Sequence, residues 1–188
     1  MKADAFRILV GTLLSLRTKD EVTDLAAARL FDLAADPRSM LALEERTIAR
    51  AIYPVGFYRV KARQLRGICA ALLDRHRGRV PSSLEALLEL PGVGRKTANL
   101  VLGLGFGRPA ICVDVHVHRI TNRWGWVRTR SPAETEAALA NVLPRRLWIP
   151  INRILVTHGR TVCTPLSPRC SRCAVADRCA RVAVGRSR

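Results

Sequence analysis

Apolar residues recur along this chain at the spacing of helix faces, most clearly at Ala62, Leu65, Ile68, Cys69, Leu72 and Leu73. Steps of three and four put all six on one side of a 3.6-residue helix, the pattern of a half-buried amphipathic segment. Leu84, Leu87 and Leu88 form a second stripe behind Ser82-Ser83-Leu84-Glu85, where Ser82 and Glu85 stand at capping-box spacing. Ser131-Pro132-Ala133-Glu134 is a stronger helix start, with a capping Ser, Pro in the first turn and Glu three residues after the cap. Further helices are predicted near 4–17, 20–33, 44–52, 95–106, 114–123 and 147–158, punctuated by Pro54, Gly56, Gly78, Pro81, Pro91, Gly107 and Pro109. Ile111 to Val117 alternates only weakly, too little to build a sheet on. No internal repeat or low-complexity segment stands out. The pattern predicts an all-α fold with a loop-rich C-terminal end.

Composition narrows the class of partner. The chain has 188 residues, enough for one ordinary domain or two small ones, and 48% of them are apolar. Lys and Arg number 32 against 15 Asp and Glu, a formal net charge of +17 carried mostly by Arg. A polyanion is the natural partner of such a chain, either nucleic acid or an acidic membrane surface. Lys2 and Arg7 precede the apolar run Ile8 to Leu16, which mimics a signal peptide. Arg17, Thr18, Lys19 and Asp20 follow at once with no small-residue cleavage site, and the run is too short to span a bilayer. It is read as a buried helix of a soluble protein. Six cysteines would suggest disulfides outside the cell, but four of them are bunched like ligands, which points to a reducing cytosol. Cys69 and Cys112 lie in apolar surroundings and are read as small core residues.

Three motifs carry candidate chemistry. Cys163, Cys170, Cys173 and Cys179 have the spacing C-x6-C-x2-C-x5-C in a Pro- and Arg-rich stretch. Four thiolates suit a structural zinc ion and equally an iron–sulfur cluster, and spacing alone does not separate the two. The second motif is Leu90-Pro91-Gly92-Val93-Gly94-Arg95-Lys96-Thr97-Ala98, a tight turn that feeds directly into a helix. Its backbone N–H groups and the positive helix end can hold a phosphate, directly or through a bound cation. Lys96 stands just inside that helix, where a neutral amine beside a docked DNA backbone could attack the sugar C1′ carbon. The third is Val113-Asp114-Val115-His116-Val117-His118-Arg119, whose carboxylate is flanked by apolar residues and can also cap a helix. His116 and His118 are ligand types, but two residues apart on a helix they face different ways, so they read as structural or DNA-facing groups.

Together the hairpin with Lys96, the V-D-x-H segment at Asp114 and the four-cysteine array resemble the endonuclease III family of helix-hairpin-helix DNA glycosylase/AP lyases, with similarity from about Ala5 to Cys179. The resemblance implies two helical lobes flanking a DNA-binding cleft. Residues 1–108 would form a helical barrel domain with the hairpin at about 90–98. Residues 109–188 would form a helical domain carrying a [4Fe–4S] cluster loop at 163–179. It implies Lys96 and Asp114 as catalytic residues and Cys163, Cys170, Cys173 and Cys179 as cluster ligands, which turns the cysteine question from zinc to iron–sulfur. It implies DNA contacts from Gly92, Val93, Gly94, Arg95, Arg17, Phe57 and His116, and a monovalent cation at the hairpin. The expected partner is double-stranded DNA with damaged bases or abasic sites, bound by a cytoplasmic, nucleoid-associated monomer with no membrane attachment. Oxidised pyrimidines are the expected lesion. A pyrimidine dimer, a mismatch or 8-oxoguanine is the alternative within the family, and a non-catalytic iron–sulfur DNA-binding module the alternative outside it.

The sequence departs from the family pattern in three places. Arg17 stands where the family usually has a glutamine that fills the hole left by a flipped nucleotide. Its partner wedge is Phe57, which could equally be a core residue. Few residues precede the first core helix, where the family usually has another helix covering the cluster lobe. The Cys163–Cys170 loop reads Thr-Pro-Leu-Ser-Pro-Arg, so Arg169 is its single basic residue, with Arg172, Arg178, Arg186 and Arg188 read either as other sources of charge toward DNA or as solvated side chains.

Overall fold

The computed structural model describes residues 4–188; Lys2, read above as part of the apparent leader, lies outside them. The chain divides into two units, Met1–Arg108 and Pro109–Arg188. Both are helical, and no strand occurs among the described residues.

The first unit is built from α1 (Ala5–Ser15), α2 (Asp20–Leu33), α3 (Pro37–Ala42), α4 (Glu45–Ile52), α5 (Tyr58–His76), α6 (Leu84–Leu88) and α7 (Arg95–Leu100). The apolar run that mimics a leader is α1. Asp4 caps it by accepting the Phe6 N–H at 2.9 Å, and it buries Phe6, Leu9, Val10, Leu13 and Leu14. Among the described residues no helix is long and apolar enough to cross a membrane. The 19-residue α5 is the axis of the unit. Its stripe of Ala62, Leu65, Ile68, Cys69 and Leu72 is fully buried, and it packs on α1, α3 and α4. α5 closes through Arg77 and Gly78 in left-handed conformation, with the Gly78 N–H returning to the Leu72 carbonyl at 2.8 Å.

The second unit contains α8 (Val115–Trp124), α9 (Pro132–Val142) and α10 (Pro150–Thr161), with 3₁₀ turns at Arg145–Leu147, Cys170–Arg172 and Ala176–Arg178. Its core gathers Ile111, Val113, Val117, Ile120, Val127, Leu139, Leu143, Ile151 and Leu155. α9 starts as its sequence predicts. Ser131 accepts the Glu134 N–H at 3.2 Å, and Glu134 reaches back to the Arg130 N–H at 2.9 Å.

Basic side chains close the carbonyl ends of helices in both units. Lys61 holds the end of α1, and Arg29 donates to the carbonyls of Ala51 and Tyr53 at the end of α4. Arg66 does the same for Leu41 and Leu43 after α3. Beyond α10, Arg119 binds the Cys163 carbonyl at 2.9 Å and Arg123 binds those of Thr164 and Pro165 at 2.7 and 2.6 Å. Helix C-termini expose carbonyls that lack intrahelical partners and carry negative dipole ends, so cations suit them.

Several boundaries differ from the sequence reading. The cap of α6 is Ser83, which accepts the Ala86 N–H at 3.3 Å, so the Ser82 pairing at capping-box spacing is not used. The helix expected at 147–158 begins at Pro150, whose missing N–H suits a first turn, and runs to Thr161. The helix expected at 95–106 is α-helical only to Leu100 and widens into a π turn at Val101–Gly105. α3 was not expected at all. It is short, and it rests on a local capping box between Asp36 and Ser39 rather than on a long apolar stripe.

Ile120 lies on the buried face of α8, fully enclosed in the second core. Ile120→Ala should cost about 2–5 kcal/mol, the range for deleting a large buried aliphatic group. Urea unfolding measures it.

Candidate functional site

In the first unit, α6, the turn after it and α7 form the predicted hairpin. Leu90 and Val93 are buried and pin the turn to the core, while Pro91, Gly92, Gly94 and Arg95 are exposed. The Val93 N–H closes the turn onto the Leu90 carbonyl at 3.1 Å. Val93 therefore offers a partner its carbonyl, not its side chain. Gly92 has φ +72°, so its backbone calls for glycine, and the flexible Gln64 side chain lies over it, 2.7 Å from where a Cβ would stand. Over Gly94 nothing lies within 4 Å of a Cβ position, which leaves the backbone open to a close-approaching ligand. Lys96 is the second residue of α7, half-buried, with Thr97, Ala98 and Asn99 buried behind it.

Two neighbouring loops of the same unit place Arg17 and Phe57 side by side. Both side chains are exposed, Phe57 to 60%, and both residues are left-handed, with φ of 54° and 59°. The Arg17 guanidinium carbon lies 5.5 Å from the Phe57 ring centroid. The alternative of a core Phe57 is thereby excluded.

Sequence reasoning missed Lys61. It falls on the buried stripe of α5, 4% exposed, and its Nζ donates to the carbonyls of Leu14 at 2.8 Å and Leu16 at 2.5 Å. Burial pushes its amine down from the usual lysine range to about 8. The signal was available: Lys61 stands one turn before Leu65 on the very row that defines the helix.

In the second unit, Asp114 is the cap of α8. Its Oδ1 accepts the N–H groups of His116 and Val117, each at 2.9 Å, which leaves Oδ2 as the oxygen able to face a substrate. His116 is half-buried, with Nδ1 3.1 Å from an Arg119 nitrogen. A Cβ on Gly159 would come within 2.3 Å of that Nδ1, so α10 admits the imidazole only because Gly159 has no side chain. His118 is structural, 2.7 Å from Thr135 Oγ1 in a network that includes Thr129 and Asn122.

Cys163, Cys170, Cys173 and Cys179 are all free thiols and line one small recess, partly open to solvent, beside Arg123 and Trp124. Among the described residues no three His, Cys, Asp or Glu side chains are gathered as a single metal ion would need. Four soft thiol donors on one recess are a donor set that both zinc and iron–sulfur centres use. Donors face the sulfurs: the Arg123 guanidinium at 3.5 Å from Cys163 Sγ, and the Arg181 N–H at 3.4 Å from Cys179 Sγ. His158 Nε2 lies 3.8 Å from Cys173 Sγ, and burial lowers the imidazole below its ordinary range, favouring the neutral ring. Arg169, Arg172 and Arg178 are exposed around the loop. Arg188 pairs its backbone with Pro168 and Ser171, a closure of the cysteine loop that the sequence did not suggest.

Residues 10–145 match the HhH-GPD superfamily of base excision DNA repair proteins. The chain is 48% identical to endonuclease III of Thermotoga maritima, over 95% of this chain and 84% of that one. It is 44% identical to the chloroplastic endonuclease III homolog 1 of Arabidopsis thaliana over 93% of its length, and spans about half (48%) of that longer protein. Its fold superposes with a TM-score of 0.89 and 35% identity on a trapped endonuclease III–DNA covalent intermediate, covering 96% of this chain and 85% of that one.

The lowered amine of Lys61 has a defined effect on stability. Between pH 8 and the ordinary lysine value of 10.5, the unfolded chain holds this proton more tightly than the folded one. The cost of burying the charge is present in full below about pH 8 and fades as pH rises through that window. The stability difference between wild type and Lys61→Met should therefore shift in favour of wild type from pH 8 to 10.5. Denaturant melts across that range measure it, and the pairwise difference removes the other groups that titrate there.

Proposed function

Since this chain belongs to the HhH-GPD superfamily, and within it to the endonuclease III family of base-excision DNA glycosylase/AP lyases, we propose that Lys96 is its nucleophile and Asp114 its catalytic carboxylate. The observation that carries the proposal is the position of Lys96, on the first turn of a helix that leaves a backbone hairpin open to solvent at Gly94.

The protein works on DNA. The glycosidic bond of a stacked nucleotide is out of reach, so the damaged nucleotide is extruded from the duplex. Lys96 Nζ then attacks C1′, the bond from C1′ to the base breaks, and the amine becomes a Schiff base with the opened sugar. Loss of a C2′ proton expels the 3′ phosphate by β-elimination, and hydrolysis frees the lysine. Asp114 takes a proton from the Lys96 amine or offsets positive charge developing on the sugar. Gly92, Val93, Gly94 and Arg95 hold the backbone phosphate through main-chain groups, and a monovalent cation held at this hairpin would offset the phosphate charge. Arg17 fills the space of the extruded nucleotide, Phe57 stacks into the kink, and His116 adds a polar contact beside Asp114. Oxidised pyrimidines are the substrate class, and the enzyme acts as a monomer in the cytoplasm at the nucleoid.

The endonuclease III family generally carries a [4Fe–4S] cluster. Here Cys163, Cys170, Cys173 and Cys179 would hold it, and it would supply four metal–sulfur cross-links to a loop with little helix of its own. Arg123 and the Arg181 N–H would donate to its thiolates.

Borohydride trapping on a duplex with one abasic site tests the nucleophile. Wild type should form a covalent complex and Lys96→Ala none, while Asp114→Asn should slow turnover by about 10²–10⁴-fold, the usual worth of a positioned acid or base. Strand cleavage undiminished in Lys96→Ala would remove the role given to that residue. For the cysteines, aerobically purified wild type should be brown and contain iron, and Cys173→Ser should lose both. A colourless protein loaded with stoichiometric zinc would reverse the assignment.

A further inference from the structure

Lys61 is a costly residue at its position. Its neighbours on the buried row of α5, Leu65, Ile68 and Leu72, are all aliphatic and fully enclosed. An apolar residue would fill the row without desolvating an ammonium group. Lys61 is not a second nucleophile, because its Nζ is enclosed and caged by oxygens. The carbonyls of Leu14 and Leu16 accept from it at 2.8 and 2.5 Å, and Thr18 Oγ1 lies at 3.4 Å. All three oxygens belong to the end of α1 and the loop that follows it.

That loop carries Arg17, and the same contacts reach the loop that carries Phe57. Thr18 Oγ1 also accepts the Gly56 N–H at 3.1 Å. The two backbones touch so closely that a Cβ on Gly56 would sit 2.6 Å from the Arg17 carbonyl oxygen. Lys61 itself is tied to the second loop, because its own N–H donates to the Phe57 carbonyl at 3.0 Å. Arg17 and Phe57 both sit in the left-handed region, which is unfavourable for any residue with a side chain. Such conformations persist where their surroundings over-determine them. The head of Lys61 holds the Arg17 loop directly, and Thr18 Oγ1, which takes a bond from both Lys61 and Gly56, passes that hold to the Phe57 loop.

We propose that Lys61 is a positioning residue that fastens the Arg17 and Phe57 loops into one rigid wedge, and thereby sets how the enzyme reads the base left opposite the extruded nucleotide. The inference rests on the reading of Arg17 and Phe57 as the DNA-inserting pair. Lys61 acts through them and touches neither DNA nor the reacting atoms.

A double-mutant cycle tests it, with the fluorescence of 2-aminopurine placed opposite an abasic site as the readout of wedge insertion. Lys61→Met keeps the length of the side chain and removes its donors. It should remain folded by circular dichroism and bind undamaged duplex as wild type does. It should lose the 2-aminopurine signal, and kcat/KM on abasic duplex should fall by about 10- to 100-fold, as expected when a contact group drifts by an ångström. In an Arg17→Ala/Phe57→Ala background, Lys61→Met should cause no further loss, because the groups it positions are gone. Equal losses in both backgrounds would show a purely structural residue and overturn the proposal. Thr18→Val breaks the Gly56 side of the clamp and removes only the longest of the three contacts to the buried amine, which keeps the carbonyls of Leu14 and Leu16, and it carries the same test should Lys61→Met fail to fold. If Arg17→Ala/Phe57→Ala alone leaves the fluorescence and the opposite-base preference unchanged, the wedge reading itself is wrong, an outcome distinguishable from failure of Lys61 alone.

Discussion

The bond between a basic side chain and a helix-end carbonyl recurs at each junction that matters in this protein. A chain with 32 cationic side chains and 15 acidic ones cannot satisfy its charge through ion pairs. The pairs that do form, such as Arg7 with Asp4 and Arg75 with Glu89, lie on the surface, where such pairs contribute little. Apart from Lys96 at the start of α7, the cations that are buried or half-buried turn to the negative ends of helices instead. Lys61 closes α1, Arg66 closes α3, and Arg119 and Arg123 gather the chain leaving α10 toward the cysteines. The same residue class thus serves two ends: outward it gives the chain its excess of positive charge toward DNA, inward it ties helices to the loops that follow them.

This division separates two kinds of electrostatics. Contacts to phosphate exchange with dissolved counterions and weaken as salt rises. A guanidinium lodged against two carbonyls, as Arg123 is, lies away from solvent and is screened much less. The protein can therefore be strongly salt-sensitive in what it binds and salt-tolerant in how it folds.

The hydrophobic pattern was sufficient for the helices that bury a full stripe. α1, α5 and α8 appear where periodicity puts them, and the caps at Ser131 and Asp114 were visible in three- and four-residue strings. What the pattern could not carry was anything decided across the chain. Lys61 breaks its own stripe, and the reason is three oxygens some 45 residues away. The close approach of Gly56 to Arg17, and of Gly159 to His116, depends on which backbones meet, which composition does not encode. The π turn at Val101–Gly105 keeps an apolar pattern compatible with an ordinary helix, so periodicity could not reveal it. Of the candidate site, the residue types and their order were legible, while the clamp that holds the Arg17 and Phe57 loops and the closure of the cysteine loop by Arg188 were not.

Asp114, in the catalytic role proposed for it, would join fold and chemistry at a single codon. Its Oδ1 starts α8, and α8 carries Ile120 into the second core and Arg119 and Arg123 to the cysteine loop. Apolar replacements would remove the cap of α8, and with it the proposed carboxylate. Asparagine alone keeps a capping oxygen of the same reach while removing the charge, and it is one nucleotide away in the genetic code. The shortest evolutionary path from a repair enzyme of this design to a folded protein that merely grips damaged DNA therefore passes through Asn at this position, and a duplicated copy relieved of catalysis would be expected to drift there first.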